Sequence, residues 1–262
     1  MTADKTHLLV TGTARSGTTA LAELLNAHHQ VCIGIERFKF QYLRSNNYSD
    51  ELLERDRFFD FREEDTNLRP AVRPHWQGVY DQISEKWDRA KVIGDKVPDM
   101  SPVLEDYMAA NPRFKCIYIL RNLKDVGLSW QARADRTRDA WPKGKGFILA
   151  CEEWEKQTRT VHDIVASGHL RARMLILDYD AIYAEDSRVL PAIMGFLGLD
   201  ASAAFTETFA RHVEFASERR SRRVPPKFVD RYREVEMGHA RGLRKHARSQ
   251  MHQWADVFEE KI

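Results

Sequence analysis

A three-layer α/β architecture, a parallel sheet with helices on both faces, is predicted by three features of this 262-residue chain. Apolar runs of five to seven residues recur along it, too short to be helices in their own right. Helical periodicity fills the intervals between them. The length suits one large domain of this kind. Strands separated by helices need crossover connections, which make the strands parallel and put helices on both faces.

His7–Thr13 (HLLVTGT) reads as the first buried strand, and Gly17–His28 as a helix turning Leu21, Leu24 and Leu25 inward. Val31–Ile35 and Lys91–Asp95 are the next two strands. Ser101 is placed as the N-cap of a helix to Ala110, with Pro102 in its first turn. Phe114–Leu120 (FKCIYIL) is a strongly apolar strand, followed by a helix over Lys124–Asp135. Phe147, Cys151, Trp154, Val161 and Val165 share one face of a long helix that stops at Ser167-Gly168. Ala172–Leu177 is the fifth strand, and Leu190–Leu197 a helix closed by Gly198. Leu243, Ala247, Met251, Trp254 and Phe258 mark a last helix. His28 and His29 are placed as caps on the carbonyls of the first helix.

Two segments break the rhythm. Residues 44–90 are charged, aromatic-rich and irregular, and residues 211–239 are strongly charged with a Pro pair. Phe58, Phe59, Phe61, Trp76 and Tyr80 need somewhere to pack, so neither segment reads as a linker. Both are read as excursions from one domain, residues 1–262, that cover its site.

Composition excludes several classes. With 41 Lys+Arg against 39 Asp+Glu, the net charge is +2, far from the basic surplus of a nucleic-acid binder. Hydrophobic residues make up 43%, enough for a sizeable core. Cys32, Cys116 and Cys151 are few and widely spaced, which predicts reduced, packed thiols rather than disulfides or a zinc site. Histidines and carboxylates show no metal-ligand spacing, so no metal is expected. The opening MTADKTHLLVTG enters a strand at once, and no run approaches the ~18 apolar residues of a membrane span. A cytoplasmic protein without a membrane span is the expectation.

The chemistry is expected where the first strand meets the first helix. Gly12-Thr13-Ala14-Arg15-Ser16-Gly17-Thr18-Thr19 is a tight glycine-bounded turn at a helix N-terminus, where N–H groups and the helix dipole favour an anion. The spacing is nearly that of a nucleotide P-loop, but Thr18 stands where its lysine belongs, and Arg15 supplies a cation inside the loop instead. A second segment, Leu120-Arg121-Asn122-Leu123-Lys124-Asp125-Val126-Gly127-Leu128-Ser129-Trp130, spans a strand end and the next helix. Arg121 sits at the carboxyl end of the strand, where α/β sheets bind ligands, and Ser129 about two turns into the helix. Taken alone, Arg121 could pair with Asp125 and Ser129 could be a packing residue.

Together these segments resemble the two nucleotide signatures of sulfotransferases that use 3′-phosphoadenosine 5′-phosphosulfate (PAPS). Gly94-Asp95-Lys96-Val97-Pro98 resembles a third motif of the bacterial, carbohydrate and tyrosylprotein branches. Leu177-Asp178-Tyr179-Asp180 and Phe196-Leu197-Gly198-Leu199 are similar to two further ones, and the order holds from residue 7 to about 200. The resemblance implies a P-loop-like sulfotransferase fold. It implies that Thr13, Ala14, Arg15, Ser16, Gly17, Thr18 and Thr19 wrap the 5′-phosphosulfate, and that Arg121 and Ser129 bind the 3′-phosphate. Residues 218–226, with Arg220, Arg222 and Arg223, read equally as a basic third nucleotide loop or as a solvated charge run.

The activity implied is in-line transfer of a sulfuryl group from PAPS, as co-substrate, to a hydroxyl acceptor, with release of 3′,5′-ADP. Arg15 and Lys96 are the cations expected to serve the leaving group, and Glu36 the general base, because it follows the second strand and IGIERF resembles the tyrosylprotein branch. Glu36 could instead pair with Arg37 or Lys39 on the surface; His75, Asp95 and Asp99 are alternative bases. The acceptor could be a small molecule, glycan or peptide hydroxyl. Phe38, Phe40, Phe58, Phe59, Trp76 and Trp141 are either its apolar or sugar-stacking wall or part of the core. Oligomeric state is not legible. A different reading, with a different chemistry, is a P-loop NTP-dependent kinase or nucleotide switch with a degenerate Walker A loop.

Overall fold

A computed structural model describes residues 5–138, 140–182, 188–217 and 223–260. Strands β1 (Thr6–Thr11), β2 (Val31–Ile35), β3 (Val92–Lys96), β4 (Phe114–Leu120) and β5 (Met174–Asp178) form a parallel sheet in the order β2-β3-β1-β4-β5. Helix α1 (Thr18–Asn26) joins β1 to β2. Between β2 and β3 lie α2 (Lys39–Arg44), α3 (Arg55–Phe59) and α4 (Gln77–Lys86), and between β3 and β4 lies α5 (Leu104–Ala110). Helices α6 (Leu123–Ala134) and α7 (Phe147–Ser167) join β4 to β5. After β5 come α8 (Tyr179–Ile182), α9 (Val189–Leu197), α10 (Ala203–Ser217), α11 (Val229–Glu234) and α12 (Gly238–Glu259).

The strands read as continuous apolar runs because both sheet faces are covered. Cys116, Tyr118 and Leu120 pack on one side with α5, α6 and α7, while Ile117 and Ile119 pack on the other with α1 and α9. Register keeps the strand ends level: Ile35 and Val10 both pair with Lys96, and Thr11 with Tyr118. On the edge strand β5, the backbone is completed by a side chain. Buried Gln250 of α12 accepts from Ile176 N (2.9 Å) and donates to Met174 O (2.6 Å), covering that edge as a further strand would.

All five predicted strands are present, each within two residues of its expected bounds. Some local readings are corrected. Ser101 does not cap a helix: Ser101–Val103 is a 3₁₀ turn and α5 starts at Leu104. Segment 44–90 is not irregular but carries α3 and α4, and Phe58 and Tyr80 are core residues. Its anchor is Arg37, fully buried with Asp65 at 2.7 Å and donating to the carbonyls of Phe58 (2.8 Å) and Asp60 (2.6 Å). A buried charge pair is tolerable only with its remaining donors satisfied in this way. In segment 211–239, residues 211–217 belong to α10 and Val229–Glu234 form α11, while 218–222 lie outside the described residues. His28 does not cap α1. Its Nδ1 accepts from Gln30 N (3.1 Å), which leaves Nε2 to donate to Asp200 O (3.1 Å), and buried Lys86 supplies the cap, donating to Asn26 O and His28 O.

The three cysteines are free and buried, and burial pushes the Cys32 and Cys151 thiols up to about 11. Among the described residues, no helix is long and apolar enough to cross a membrane.

Candidate active site

The strand order brings the carboxyl ends of β2, β3, β1 and β4 side by side. The chain leaves β1 toward β2 and leaves β4 toward β5, so connections diverge between β1 and β4 and open a crevice there. The loop after β1 occupies it. Gly12 (φ 155°) and Gly17 (φ 104°) hold backbone conformations that side chains resist. A Cβ on Gly12 would stand 2.4 Å from the Ile119 carbonyl oxygen, and one on Gly17 2.5 Å from the Tyr179 ring. Both glycines are therefore required by space as well as by φ.

The loop is braced from two sides. Asp99 N donates to Gly12 O (3.0 Å), and Asp99 Oδ1 accepts from Ala14 N (2.8 Å) and from Gln157 Nε2 (2.9 Å). Trp130 of α6, buried, donates its indole N–H to Ala14 O (2.8 Å). Three site residues carry positive φ without being glycine: Arg15 (73°), Glu36 (52°) and Asp99 (61°). Such backbone is rare outside glycine and persists where the surroundings over-determine it. Thr13, Ala14, Ser16 and Thr18 are buried, while Arg15 is exposed. The Ser16 hydroxyl is buried with no hydrogen-bond partner.

Arg121 and Ser129 converge on this loop. Arg121 Nη1 donates to Arg15 O (3.3 Å), its guanidinium lies 4.2 Å from the Tyr179 ring centre, and its buried Nε has no partner. It also meets Asp125 at 3.4 Å. Arg15 Nε donates to Ser129 Oγ (3.1 Å). Asn122 caps α6, its side chain accepting from Asp125 N (2.9 Å), and so fixes the distance from Arg121 to Ser129. Arg223 is exposed; Arg220 and Arg222 lie outside the described residues.

On the other side of β1, Lys96 ends β3 and Glu36 follows β2, their backbones joined by Glu36 N to Lys96 O (2.8 Å). Lys96 Nζ lies 3.0 Å from Glu36 Oε1, and Lys39 Nζ 2.7 Å from Oε2. Burial pushes the Glu36 carboxyl up, but the charges of Lys96 and Lys39 outweigh it and hold it below its usual range. Glu36 is thus ionised at neutral pH and held by two cations, not by Arg37, which is buried elsewhere. Fully buried Asp95 accepts from Arg37 N (2.9 Å) and Phe38 N (2.7 Å), and so shapes the turn that presents Glu36. Burial, partly offset by those N–H bonds, pushes Asp95 up to about 6. Asp95 and Asp99 therefore have positions as loop braces, while His75 is exposed on the cleft wall.

An open cleft of about 1040 Å³ joins these parts. Arg15, Thr19, Glu36 and Lys96 form its floor, and Trp76 and Trp141 stand on its walls. The other aromatics do not: Phe38 and Phe58 are core, Phe59 packs on Trp87 (5.1 Å), and Phe40 lies under the Arg44 guanidinium (3.7 Å). Several features gave no sequence signal of their own. The Trp130 and Gln157 braces, and the pairing of Glu36 with Lys96, depend on contacts between distant segments.

Comparison with known proteins places the fold and the family. No curated protein matches the sequence. Among solved structures, the sulfotransferase domain from the curacin biosynthetic pathway has a TM-score of 0.52 at 14% identity, covering 93% of this chain and 98% of its own. The sulfotransferase from Alicyclobacillus acidocaldarius has a TM-score of 0.52 at 13% identity, covering 92% and 95%. The sulfotransferase domain of the Synechococcus PCC 7002 olefin synthase has a TM-score of 0.50 at 17% identity, covering 98% and 95%. At such identities the likeness is one of fold. The sulfotransferase family profile matches residues 8–203, which include the glycine-bounded loop, Glu36, Lys96, Arg121 and Ser129. By that match across most of its length, the chain belongs to the sulfotransferase family.

Proposed function

We propose that this protein transfers a sulfuryl group from PAPS to a hydroxyl acceptor in line and releases 3′,5′-ADP. The observation that carries the reading is the closure of the anion loop by Arg121, Arg15 and Ser129, in a loop that has Thr18 in place of a P-loop lysine. The residues present fit such a nucleotide: a tight loop whose glycines have no room for a Cβ, and two buried polar atoms, Ser16 Oγ and Arg121 Nε, without partners. Bound PAPS supplies the activated sulfuryl group.

The chain's own residues do the rest. Thr13 to Thr19 hold the 5′ end by backbone N–H groups and the α1 N-terminus. Arg121 and Ser129 hold the 3′-phosphate. Arg15 and Lys96 stabilise the charge that builds on the departing phosphate oxygen. Glu36, ionised at neutral pH, accepts the acceptor's hydroxyl proton. Residues 1–262 are read as one domain, with 44–90 and 211–239 covering the site; Asn67, Leu68, Arg73, His75 and Trp76 of the first segment line the cleft. The buried free thiols fit a reducing, cytoplasmic setting.

A thermal-shift comparison tests the reading, since a ligand that binds the native state stabilises it by mass action. Stabilisation by 3′,5′-ADP, without any requirement for magnesium, is the expected outcome. Stabilisation by ATP with magnesium and not by 3′,5′-ADP would replace the reading with a kinase or switch.

A further inference from the structure

We infer that His162, Asp163 and His239 form a binding site for a divalent transition-metal ion of the zinc class, which clamps α12 to α7. The site uses none of the residues proposed for sulfotransfer and does not depend on that reading.

The three residues come from two helices. His162 and Asp163 are neighbours on α7, and His239 stands in the first turn of α12. One donor atom from each, a ring nitrogen or a carboxylate oxygen, lies within 4.8 Å of the other two. The imidazoles meet edge to face, with ring centres 5.2 Å apart. His162 Nδ1 lies 3.5 Å from Asp163 Oδ1. A separate observation points the same way. His239 Nδ1 is buried and has no hydrogen-bond partner among the described residues. A buried ring nitrogen in that state forfeits the hydrogen bond it had in water, unless it binds something else. Two imidazoles, one with an unsatisfied nitrogen, and a carboxylate are a donor set for zinc. Magnesium and calcium take oxygen ligands instead. Spacing along the chain does not show the cluster, because His239 belongs to a different helix from the other two.

Packing keeps room for these rings. His239 and Gly242 are three residues apart and share a face of α12. A Cβ on Gly242 would stand 2.8 Å from both Cδ2 and Nε2 of His162. A larger residue there would push the His162 ring away from α12, so the glycine lets the two helices bring both imidazoles together. The nearby cations are turned to another acid: Arg159, one turn before His162, meets Glu155 at 3.8 Å, and Arg231 meets the same carboxylate at 3.8 Å. Around tetrahedral zinc, with bonds of about 2.0–2.2 Å, donor atoms stand about 3.4 Å apart. The cluster therefore closes by at most about 1.4 Å, which rotation of exposed Asp163 and the half-buried imidazoles supplies. Three protein donors leave a fourth position for water. The bound ion cross-links α7 to α12, the helix whose Gln250 completes the β5 edge.

The test uses the untagged full chain, stripped with a chelator, and zinc alone as the probe. Calorimetric titration should find one zinc per chain, and cobalt in its place should give the visible absorption of an ion held by imidazole in a low-symmetry site. Zinc should raise the unfolding temperature, because the native state binds it and the unfolded chain has no assembled site. Magnesium at the same concentration should not. His162→Gln, His239→Gln and Asp163→Asn should each weaken zinc by about tenfold or more, with unfolding in zinc-free buffer close to that of the parent. Where a histidine variant fails to fold, Asp163→Asn decides, since it alters an exposed side chain. A chain that takes up no zinc would overturn the inference. So would zinc affinity and a cobalt spectrum that stay unchanged in Asp163→Asn and in the histidine variants that fold.

Discussion

The two sides of the cleft are built by different means. On the β1–β4 side the candidate anion site is backbone: a glycine-bounded loop and a helix N-terminus, with main chain held by Asp99 and Asn122, which accept from Ala14 N and Asp125 N, and by Trp130, which donates to Ala14 O. On the far side long cationic side chains stand on indole rings at the rim. Backbone donors cannot move and lose little entropy on binding, so the first end suits an invariant ligand whose charge must be placed to a fraction of an ångström. On the proposed reading, the rigid side serves the nucleotide.

That division predicts where substitutions act. Glu36 is the proposed general base, so its substitution is expected to act on the chemical step alone. Glu36→Gln should lower turnover by about 10²–10⁴ with 3′,5′-ADP affinity nearly unchanged, measured with an alcohol acceptor rather than a phenol. Retention of most activity would pass the role of base to another residue. Arg15→Ala should lower turnover by about 10²–10³ while the fold survives, because Arg15 is exposed and is proposed to act where charge builds. Near-normal turnover would remove it from the mechanism. Arg121→Ala should weaken 3′,5′-ADP by roughly 2–3 kcal/mol and barely affect 5′-AMP, which lacks the 3′-phosphate. Equal losses for both ligands would make Arg121 a structural residue.

The smallest effect is a shift in pH dependence. The acid limb of kcat/KM reports the free enzyme. Since the folded carboxyl of Glu36 lies below its ordinary 4.5, activity should persist below that value and fall only as pH drops through the lowered pKa. Lys39→Met removes one of the two charges that hold it down, so the limb should move to higher pH. A limb that stays in place would separate Glu36 from the pH profile.

The glycine-bounded loop was legible in the sequence and the far side of the cleft was not, for a physical reason. A backbone anion cradle is local: Gly12 and Gly17 stand five residues apart, at a strand end and before a helix, and Arg121 with Ser129 shares one strand–helix unit. Such spacing survives in one dimension. The five strands were equally legible, since burial on both faces writes an apolar run. The far side has no spacing. Arg73 and Lys145 face one cleft from segments of chain with no common pattern, and Trp130 reaches Ala14 across 116 positions. The aromatics misled for the same reason. Composition could not tell Phe38 and Phe58, which are core, from Trp76 and Trp141, which line the cleft. The roles of Asp95 and Asp99 were hidden too, because a carboxylate that accepts backbone N–H bonds looks in sequence like any other.

The central proposal, sulfuryl transfer from PAPS onto a hydroxyl acceptor, is tested most directly by following sulfur-labelled PAPS in the presence of pooled alcohols. The account predicts label in an organic sulfate ester, with 3′,5′-ADP released in equal amount and no need for added metal. Labelled PAPS left intact, while the same pool acquires phosphate from ATP, would contradict it.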